Sequence, residues 1–436
     1  MEASTAEALS NATALRYLGR IVNFQAMGKA PDALAIVKTL RAAGHVAYFA
    51  GGCVRDMLLE LEPKDFDVAT NAPPARVREL FRNTQAVGAA FGVILVRQGK
   101  TVVEVATFRT DLKYTDGRRP EGVIFTTAEE DAKRRDFTIN GMFFDPIENR
   151  VIDYVGGQND LKSRVLRAIG EPNHRFEEDH LRLLRAIRFA ARFELTIESI
   201  TADAIKRHAQ YLKRISPERI AEELRLMLTA PTRRLAHRML AELGLDHVIL
   251  RFLRDAREPI GIFQALEGQT IPFGLVLAAM ILDARQGVIP TTLEIRKAGA
   301  AMRHALKISN DESDVFEGSL AFGHLLENES PSVAQMKRFL AEPTSLCAME
   351  LMRALAHCGV LRDRIESRMK RLEESKQTDI APPPLITGDD LTTAGLRPGP
   401  VFKRVLDATY DEQLEGRITT REQAMKFALN LAHDGG

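Results

Sequence analysis

The stretch AYFAGGCVRDMLLELEPKDFDVAT, residues 47 to 70, decides the fold that this sequence predicts. It begins with an apolar strand, turns at Gly51 and Gly52, and continues into a short helix that carries Arg55. Glycines after a strand let backbone N–H groups approach a phosphate closely, and the N-terminus of the following helix favours negative charge. The first half of the stretch therefore predicts a phosphate-binding turn.

The second half of the stretch predicts a strand that bears Asp65 and Asp67. Side chains two residues apart on a strand share a face, so the two carboxylates should point the same way. Neighbouring carboxylates repel each other unless a cation lies between them, and Mg²⁺ is a hard cation that proteins bind together with substrate phosphates. A glycine turn or an Asp-x-Asp pair alone is commonly structural. The two together, in this order, indicate a phosphoryl-transfer site.

Length and composition exclude several classes of protein. The 436 residues suffice for two to four domains, and no apolar run is long enough for a membrane span. With 60 Lys and Arg against 59 Asp and Glu, a nucleic-acid partner cannot be argued from net charge, so any basic footprint must be local. Three cysteines without a CxxC pair fit a reducing cytoplasm and no structural zinc. No oligomeric state follows from the sequence.

Two extended runs, FGVILVRQ and TVVEVATFR, predict a β-hairpin that turns at Gly99 and Lys100. Alternation along the second run places Val103 and Val105 on one face and Glu104 on the other. Glu104 is thus an acid within an otherwise apolar strand, and we take it as a candidate third carboxylate of the catalytic site. A hydrated glutamate on an edge strand fits the pattern equally well.

A long polar excursion over residues 109–126 follows the hairpin and predicts a lid. Candidates for contact with nucleotide or RNA in this lid are Tyr114, Asp116, Arg118 and Arg119. The next run, EEDAKRRDFTING, predicts a helix that leads into a buried strand. Arg134 and Arg135 are adjacent and should face different ways, so that one reaches a triphosphate while the other is solvated. Asp136 is expected to orient its neighbour at the nucleotide.

The stretch FEEDHLRLLRAIRFAARFEL predicts a helix with an arginine stripe. Spacings of three, three and four residues align the side chains of Arg182, Arg185, Arg188 and Arg192. Asp179 precedes the stripe by one turn, and His180 is interpreted as a surface residue. Such a stripe can be a solvated face, but guanidinium and carboxylate groups also offer complementary donors and acceptors to a flat hydrogen-bonding edge. Periodicity alone leaves both interpretations open.

Five motifs occur in order between residue 45 and about residue 230: GGCVRD…KDFDVAT, RRDFTINGMFFDP, DYVGGQNDL, FEEDHLRLLRAIRFAA and SPERIAEEL. In these motifs the chain closely resembles the class II nucleotidyltransferases of the polymerase-β superfamily, the group of CCA-adding enzymes and bacterial poly(A) polymerases. The resemblance implies an α+β fold, in which a small mixed-sheet nucleotidyltransferase head is followed by all-α neck, body and tail domains.

The resemblance and a Pro-rich linker, KQTDIAPPPL, together suggest five segments. They are an N-terminal extension over 1–30, the catalytic head over 31–165, a neck for nucleobase selection over 166–230, a helical body over 231–380 and a helical tail over 381–436. The tail is expected to bind the tRNA elbow, while the head receives the tRNA 3′ end.

The resemblance also implies roles for individual residues. Asp65 and Asp67 would bind two Mg²⁺ ions and activate the RNA 3′-hydroxyl. The triphosphate would be held by Gly52, Arg55 and Arg135, in the turn that Gly51 begins. A protein template for the edges of C and A would be formed by Asp179 and Arg182, with assistance from Arg185 and Arg188.

Within this family, two features favour a complete CCA-adding enzyme that uses CTP and ATP. Poly(A) polymerases carry a basic-aromatic stretch before the third strand, which AVGAAFGVILVRQ lacks, and enzymes that add only C lack the lid, which YTDGRRP retains. An A-adding enzyme stays open as the closest alternative, followed by a poly(A) polymerase. A non-catalytic RNA-binding protein on the same scaffold is disfavoured because the site residues are intact.

Overall fold

The computed structural model describes residues 28–88, 91–112, 122–249, 260–268, 270–397 and 399–433. The four lid residues named above, and the extension up to residue 27, lie outside the described residues. The chain divides into two compact units, which are Met1–Met227 with Leu235–Ile249, and Leu228–Arg234 with Leu250–Gly436.

A mixed sheet of seven strands forms the centre of the first unit. The strands of this sheet are β1 (Ala47–Ala50), β2 (Asp67–Thr70), β3 (Thr84–Gly88), β4 (Val93–Gln98), β5 (Thr101–Thr107), β8 (Phe143–Asp145) and β9 (Arg150–Ile152). Their order is β3-β4-β5-β2-β1-β8-β9, and only β2 and β5 run parallel. The predicted strand over residues 47–50 and the predicted hairpin are both confirmed. A separate two-stranded ribbon consists of β6 (Arg109–Asp111) and β7 (Val123–Phe125).

The strand register decides which side chains meet at the candidate site. In β5 the side chains of Val103 and Val105 are buried, whereas Glu104 faces the other way, as the alternation predicted. Val68 of β2 pairs with Val105 of β5, so that the residues on the opposite face of each strand lie side by side. The register therefore brings the acid of β5 next to Asp67 at the start of β2.

Helices cover the sheet and continue beyond it in the first unit. Those of the head are α1 (Ala30–Ala42), α2 (Gly52–Leu58), α3 (Pro74–Leu80), α4 (Ala128–Lys133) and α5 (Gly157–Lys162). A 3₁₀ turn over Thr138–Asn140 leads into β8. After the short strand β10 (Val165–Leu166), which pairs with β11 (Thr196–Ile197), the chain is helical. Its helices are α6 (Pro172–Glu178), α7 (Arg182–Arg192), α8 (Ser199–His208) with a 3₁₀ extension over Ala209–Arg214, α9 (Pro217–Leu228), α10 (Arg233–Glu242) and α11 (Asp246–Ile249).

Only helices are described in the second unit. They are α12 (Ile262–Ala265), α13 (Phe273–Ala284), α14 (Thr292–Leu306), α15 (Asn310–Leu320), α16 (Gly323–Glu327), α17 (Val333–Ala341), α18 (Ser345–His357), α19 (Arg362–Lys376), α20 (Gly388–Thr393), α21 (Pro400–Leu414) and α22 (Arg421–His433). Capping boxes begin α14, α15, α17 and α20, which satisfies N–H groups that a helix start leaves free. None of the described helices combines the length and the apolar character that a membrane crossing requires. The sequence-predicted α+β class with a helical C-terminal region is confirmed.

Close packing at Gly157 fixes the 3₁₀ turn that carries Asn140. A Cβ atom at Gly157 would lie 2.2 Å from the Thr138 carbonyl oxygen. We therefore expect Gly157→Ala to destabilise the protein by about 1–3 kcal/mol, because the turn and α5 must separate. Denaturant unfolding measures the change.

Gly388→Ala is the matched control, since the nearest atom to its Cβ would be 3.9 Å away. Equal stability of Gly157→Ala and the parent protein would contradict the packing argument.

Candidate active site

A cavity of about 710 Å³ lies in the first unit and collects the residues that the sequence singled out. Its lining includes eleven of the twelve predicted site residues, namely Gly51, Gly52, Arg55, Asp67, Glu104, Arg135, Asp136, Asp179, Arg182, Arg185 and Arg188. Nine arginines and four carboxylates line the cavity. The cavity is therefore strongly positive, although the net charge of the whole chain is close to zero. Only Asp65 is absent from the lining.

Asp67 and Glu104 form the acidic side of the cavity. The Asp67 carboxylate is open to the cavity, but protein atoms surround it and remove most of its bulk solvation. This burial, reinforced by the negative charges of Glu104 and Asp65 and opposed by Arg135, raises the pKa of Asp67 to about 6. Strand pairing thus places Glu104 in electrostatic contact with Asp67, which supports Glu104 as a third carboxylate.

Asp65 is placed differently from the prediction. Strand β2 begins at Asp67, so Asp65 precedes the strand, and the prediction that strand alternation aligns the two carboxylates was wrong. Its side chain is 72% exposed, and Oδ1 lies 2.5 Å from the Lys29 ammonium nitrogen. This ion pair directs the side chain of Asp65 towards Lys29 at the start of α1. Among the described residues, no three side chains of the metal-binding types are gathered into a ready-made ion site.

Gly51 and Arg135 form the phosphate side of the cavity. Gly51 has a φ of 69°, and a Cβ atom there would lie 2.8 Å from Nη1 of Arg135, so the position requires glycine. Arg135 is held by Asp131, with Nη2 2.9 Å from Oδ2, and by the Asn140 carbonyl oxygen. Its guanidinium also lies 5.0 Å from the centre of the Phe143 ring. A fixed cation therefore stands directly over the glycine turn.

Arg134 and Arg135 converge, although the sequence suggested that they diverge. Both side chains are 19% exposed, and both bind the carboxylate of Asp131. Burial favours the neutral acid, but the two arginines outweigh it and lower the pKa of Asp131. The expectation that one of the pair is solvated was wrong, because a buried carboxylate one turn earlier attracts both.

Arg55 joins the glycine turn to the arginine helix α7. It is 4% exposed, and its guanidinium donates hydrogen bonds to Asp56 and Asn140. The same group lies 4.3 Å from the centre of the Phe193 ring at the end of α7. Burial lowers the pKa of Arg55, while Asp56 opposes this effect. Arg55 thus supports the cavity wall, and three of its five N–H donors are directed into the protein.

Asp136 orients an arginine that is distant in sequence. The sequence suggested that it orients its neighbour, but its Oδ2 accepts from Nε and Nη2 of Arg185, at 3.0 Å and 2.6 Å. Oδ1 accepts from the side-chain amide of Asn140 and the backbone N–H of Phe137. Burial raises the pKa of Asp136, but Arg185 and Asn140 outweigh it and bring the value to about 2. Asp136 is therefore ionised at neutral pH and fixes the Arg185 side chain at the cavity wall.

Asp179 and Arg182 lie together on the cavity wall, at the junction of α6 and α7. Arg182 is 8% exposed and donates to Glu178 at 2.6 Å, to the Arg175 carbonyl at 3.0 Å and to the Arg134 carbonyl at 3.5 Å. These bonds engage three of its five N–H groups, so two remain to face a ligand. The arrangement presents a carboxylate beside a positioned guanidinium.

Two residues that the sequence analysis did not assign hold side chains of this cavity wall. Arg219 lines the cavity, and its Nη2 lies 3.2 Å and 3.4 Å from the two carboxylate oxygens of Asp179. Glu223 is buried and accepts from Nε of Arg188 at 2.6 Å. Both lie in SPERIAEEL, four residues apart on one face of α9, and that spacing was a usable signal.

His180 is not a surface residue, contrary to its sequence interpretation. It is 5% exposed, and its Nδ1 lies 2.7 Å from the Phe176 carbonyl oxygen. Its ring stacks on Tyr211 with a centroid distance of 4.9 Å. The chain between α6 and α7 bends at residues 179–181, and the bend turns this side chain inward.

Family models match both parts of the first unit. The model described as "Poly A polymerase head domain" matches residues 47–167, and "Probable RNA and SrmB-binding site of polymerase A" matches residues 194–257. The mixed sheet, its cavity and the helices after it therefore belong to the nucleotidyltransferase class.

Comparison with individual proteins narrows the class. The CCA-adding enzyme of Lactobacillus helveticus is 32% identical over 407 residues, which are 92% of this chain and 98% of that protein. Poly(A) polymerase I of Escherichia coli O157:H7 is 45% identical over 210 residues, 46% of this chain and 45% of that one. The Bacillus stearothermophilus CCA-adding enzyme in complex with CTP has 28% identity and a TM-score of 0.71, covering 93% of this chain and 98% of its own. The chain belongs to the family of CCA-adding enzymes and poly(A) polymerases.

The raised pKa of Asp67 predicts a pH-dependent effect of Asp67→Asn on the metal-free protein. Folding raises the pKa from its ordinary value of 3.8 to about 6, so the ionised carboxylate is unfavourable in the folded state. This cost is fully present above about pH 6 and disappears as the pH falls towards 3.8. We expect Asp67→Asn to raise the Tm at pH 7.5, with a gain that shrinks between pH 6 and pH 4.

Thermal unfolding in chelator at several pH values measures this gain. Glu148→Gln is the control, because that carboxylate is exposed, pairs with Arg150 and does not act on Asp67, so it should give no such gain. A gain of equal size at every pH would argue against the titration of Asp67.

Proposed function

We propose that this protein rebuilds the 3′-terminal CCA sequence of tRNA from CTP and ATP in the cytoplasm, with release of pyrophosphate. One observation carries the proposal: a single cavity joins acidic residues, a glycine turn under a fixed arginine, and a carboxylate–guanidinium pair. These three parts correspond to the reacting hydroxyl, the triphosphate and the base of a nucleotide. An enzyme that selects nucleotides without a nucleic-acid template needs all three within the length of one nucleotide.

The pair Asp179 and Arg182 suits the edges of C and A. Each of these bases presents an amino group beside an unprotonated ring nitrogen, whereas U and G present a carbonyl oxygen beside a ring N–H. A carboxylate can accept from the amino group while a guanidinium donates to the ring nitrogen. The reverse pattern of U and G would leave a carboxylate facing a carbonyl, which is unfavourable in a partly buried site. Two N–H groups of Arg182 are left for this role.

The triphosphate is assigned to the turn at Gly51 and Gly52, beneath Arg135. Backbone N–H groups at the start of α2 and a guanidinium held by Asp131 supply donors without any rearrangement at the moment of reaction. Arg188 and Arg192 also line the cavity and add positive charge beside the turn. Positioning and charge stabilisation are the main demands of phosphoryl-group chemistry, and fixed arginines meet both.

The acidic side of the cavity fits Mg²⁺, because Asp65, Asp67 and Glu104 offer carboxylate oxygens, which this ion prefers as ligands. The negative charges of Asp65 and Glu104 also help to raise the pKa of Asp67, and a cation would relieve this repulsion. We assign Asp65 and Asp67 as the residues that hold two ions, with Glu104 beside them. Mg²⁺ held by these carboxylates would supply positive charge to stabilise the reacting phosphate. Asp67 must be ionised to serve, which its pKa of about 6 allows at neutral pH.

The extent of the comparisons favours CCA addition over poly(A) synthesis. Identity with the poly(A) polymerase is higher but covers less than half of either chain, whereas the CCA-adding enzyme matches over 92% of this chain. We accordingly propose the head over 31–165 for catalysis, the neck over 166–230 for base selection, and the body over 231–380 with the tail over 381–436 for tRNA.

Incorporation on three tRNA transcripts tests the function. The transcripts end before CCA, after C and after CC, and each is incubated with CTP, ATP or both in the presence of Mg²⁺. We expect the first transcript to gain C, C and A and then to stop. Asp67→Ala and Asp65→Ala should abolish incorporation while folding is kept, with the exposed Glu148→Ala as a control that keeps activity.

Any other pattern of incorporation on the three transcripts would indicate a different function. Addition of a single A to the transcript ending in CC, and to no other, would make this an A-adding enzyme. A long A ladder would place it with the poly(A) polymerases, and binding of tRNA without incorporation would leave an RNA-binding protein. Full activity of Asp67→Ala would refute the assignment of the carboxylates.

Arg219 should control nucleotide selection through Asp179. Without its two contacts with Arg219, the Asp179 carboxylate keeps the backbone N–H of Leu181 but loses its second anchor, so Arg219→Gln should lower the discrimination of CTP over UTP by about 10-fold. The ratio of kcat/KM values for CTP and UTP measures this, and Arg219→Lys should restore part of it. Arg238→Gln is the control, since Arg238 pairs only with exposed Glu242. Unchanged selection in Arg219→Gln would exclude a positioning role.

A further inference from the structure

The last arginine of α7 is held less closely by acids than the three before it. A carboxylate binds each of those three at 2.6 Å: Glu178 binds Arg182, Asp136 binds Arg185 and Glu223 binds Arg188. Arg192 lies 3.8 Å from its acidic partner, Asp56, which is too long for a hydrogen bond. Its side chain is 43% exposed and lines the cavity, and within the described part of the chain its guanidinium donates no hydrogen bond. The N–H groups of Arg192 are therefore available to a ligand in the cavity.

A chain of contacts places Arg192 at the phosphate end of the cavity. A Cβ atom at Gly52 would lie 3.5 Å from Nη2 of Arg55, and this nitrogen lies 2.6 Å from Oδ1 of Asp56. The other carboxylate oxygen of Asp56 faces Arg192. Arg182, which is proposed to read the base, is about 15 Å away along α7 at 1.5 Å per residue. An extended nucleoside triphosphate spans a comparable length, so its last phosphates would reach this end.

Positive charge is in excess at this end of the cavity. The single carboxylate of Asp56 is paired with both Arg55 and Arg192. The two guanidiniums also lie 4.3 Å and 4.9 Å from the centre of the Phe193 ring, which positions them without neutralising their charge. Burial lowers the pKa of Arg55, and the positive charge of Arg192 adds to this effect, while Asp56 opposes it. An anion bound here would relieve the repulsion between the two cations.

We infer that Arg192 binds the terminal phosphates of the incoming nucleotide and thereby distinguishes a triphosphate from a monophosphate. The inference rests on the proposed function and deepens it, because it gives the selection of triphosphates a residue of its own. A guanidinium matches phosphate oxygens with two parallel N–H donors, and such charge-assisted bonds are strong. The arginines of α7 would then contact both ends of one nucleotide, with Arg182 at the base and Arg192 at the terminal phosphates.

The charge of the site favours a terminal phosphate over the backbone of RNA. A phosphodiester carries one negative charge, whereas a terminal phosphate carries between one and two at neutral pH. Two adjacent guanidiniums that share one carboxylate suit the more highly charged group. Arg55 also lies beside the glycine turn, to which the triphosphate is assigned.

Equilibrium binding of CTP, CMP and pyrophosphate to the protein without RNA, in the presence of Mg²⁺, tests this inference. We expect Arg192→Gln to raise the Kd of CTP and of pyrophosphate by about 10- to 100-fold. The Kd of CMP should stay within about twofold, because CMP has no phosphate beyond the first. ATP should lose affinity by the same factor as CTP, since the two share these phosphates. Arg192→Lys should restore part of the loss, because it keeps the charge but not the paired donors.

Arg76→Gln is the matched control. Arg76 has the same 43% exposure, pairs with the exposed Glu79 and does not line the cavity, so its replacement should change none of these Kd values. The Tm of Arg192→Gln should stay close to that of the parent protein, because its ion pair is long and partly exposed. The ratio of kcat/KM values for CTP and UTP should also stay, in contrast to Arg219→Gln, since both nucleotides carry the same phosphates.

Three results would overturn the inference. They are an unchanged Kd of CTP in folded Arg192→Gln, an equal loss of affinity for CTP and CMP, and a loss of affinity for tRNA alone. The last of these would assign Arg192 to the RNA backbone instead.

The parent protein distinguishes this inference from the proposed function. Addition of CCA by the parent, together with parental CTP affinity in Arg192→Gln, would overturn the phosphate contact alone. Triphosphate affinity that depends on Arg192, in a parent that does not extend tRNA, would overturn the proposed function and leave the phosphate contact.

Discussion

The cavity depends on the ion pair between the buried carboxylate of Asp136 and the half-buried guanidinium of Arg185. Asp136 follows Arg135, which stands at the glycine turn, and Arg185 belongs to α7, which carries the guanidinium of Arg182 that is proposed to read the base. The pair joins the phosphate end of the cavity to its base end across 49 residues of chain. Removing Arg185 would leave the buried carboxylate of Asp136 without its main counter-charge, which destabilises the fold. The spacing between the two ends is therefore fixed by a contact that is expensive to break.

The arginines of the cavity need acidic partners that hold them in place. Nine arginines around one cavity would repel each other, and their side chains would otherwise sample many conformations. Buried acids divide them into small groups: Asp131 holds Arg134 and Arg135, Glu223 holds Arg188, and Asp179 holds Arg219. The protein thus retains a net attraction for a triphosphate while each guanidinium has a defined direction. Preorganised charges of this kind stabilise a developing negative charge without the cost of reorientation.

These contacts explain how much the sequence could predict. The strand over 47–50, the hairpin, the alternation at Glu104 and the arginine helix all follow from local periodicity, and all are present. The residues of the cavity were also found, because they lie in contiguous motifs. What failed was the direction of individual side chains. The convergence of Arg134 and Arg135 depends on the burial of Asp131 one turn earlier. The partner of Asp136 and the inward turn of His180 are set by tertiary contacts, which no local pattern encodes.

The position of Asp65 was also not predictable from local alternation, because Asp65 precedes β2 and pairs with Lys29. This pairing also affects how the carboxylates of the Asp-x-Asp motif can bind a cation. The carboxylate of Asp65 is 72% exposed and paired with Lys29, whereas that of Asp67 faces the cavity beside Glu104 and has a raised pKa. The two members of one Asp-x-Asp motif therefore differ in their readiness to receive a cation. Asp65 already has a compensating charge, and Asp67 has unbalanced negative charge near it. Under the proposed function, a divalent ion near Asp67 would relieve that repulsion, while the charge of Asp65 is already partly balanced by the ammonium of Lys29. Lys29, at the start of α1 and outside the recognised motifs, thus takes part in the electrostatics of the carboxylates proposed to be catalytic.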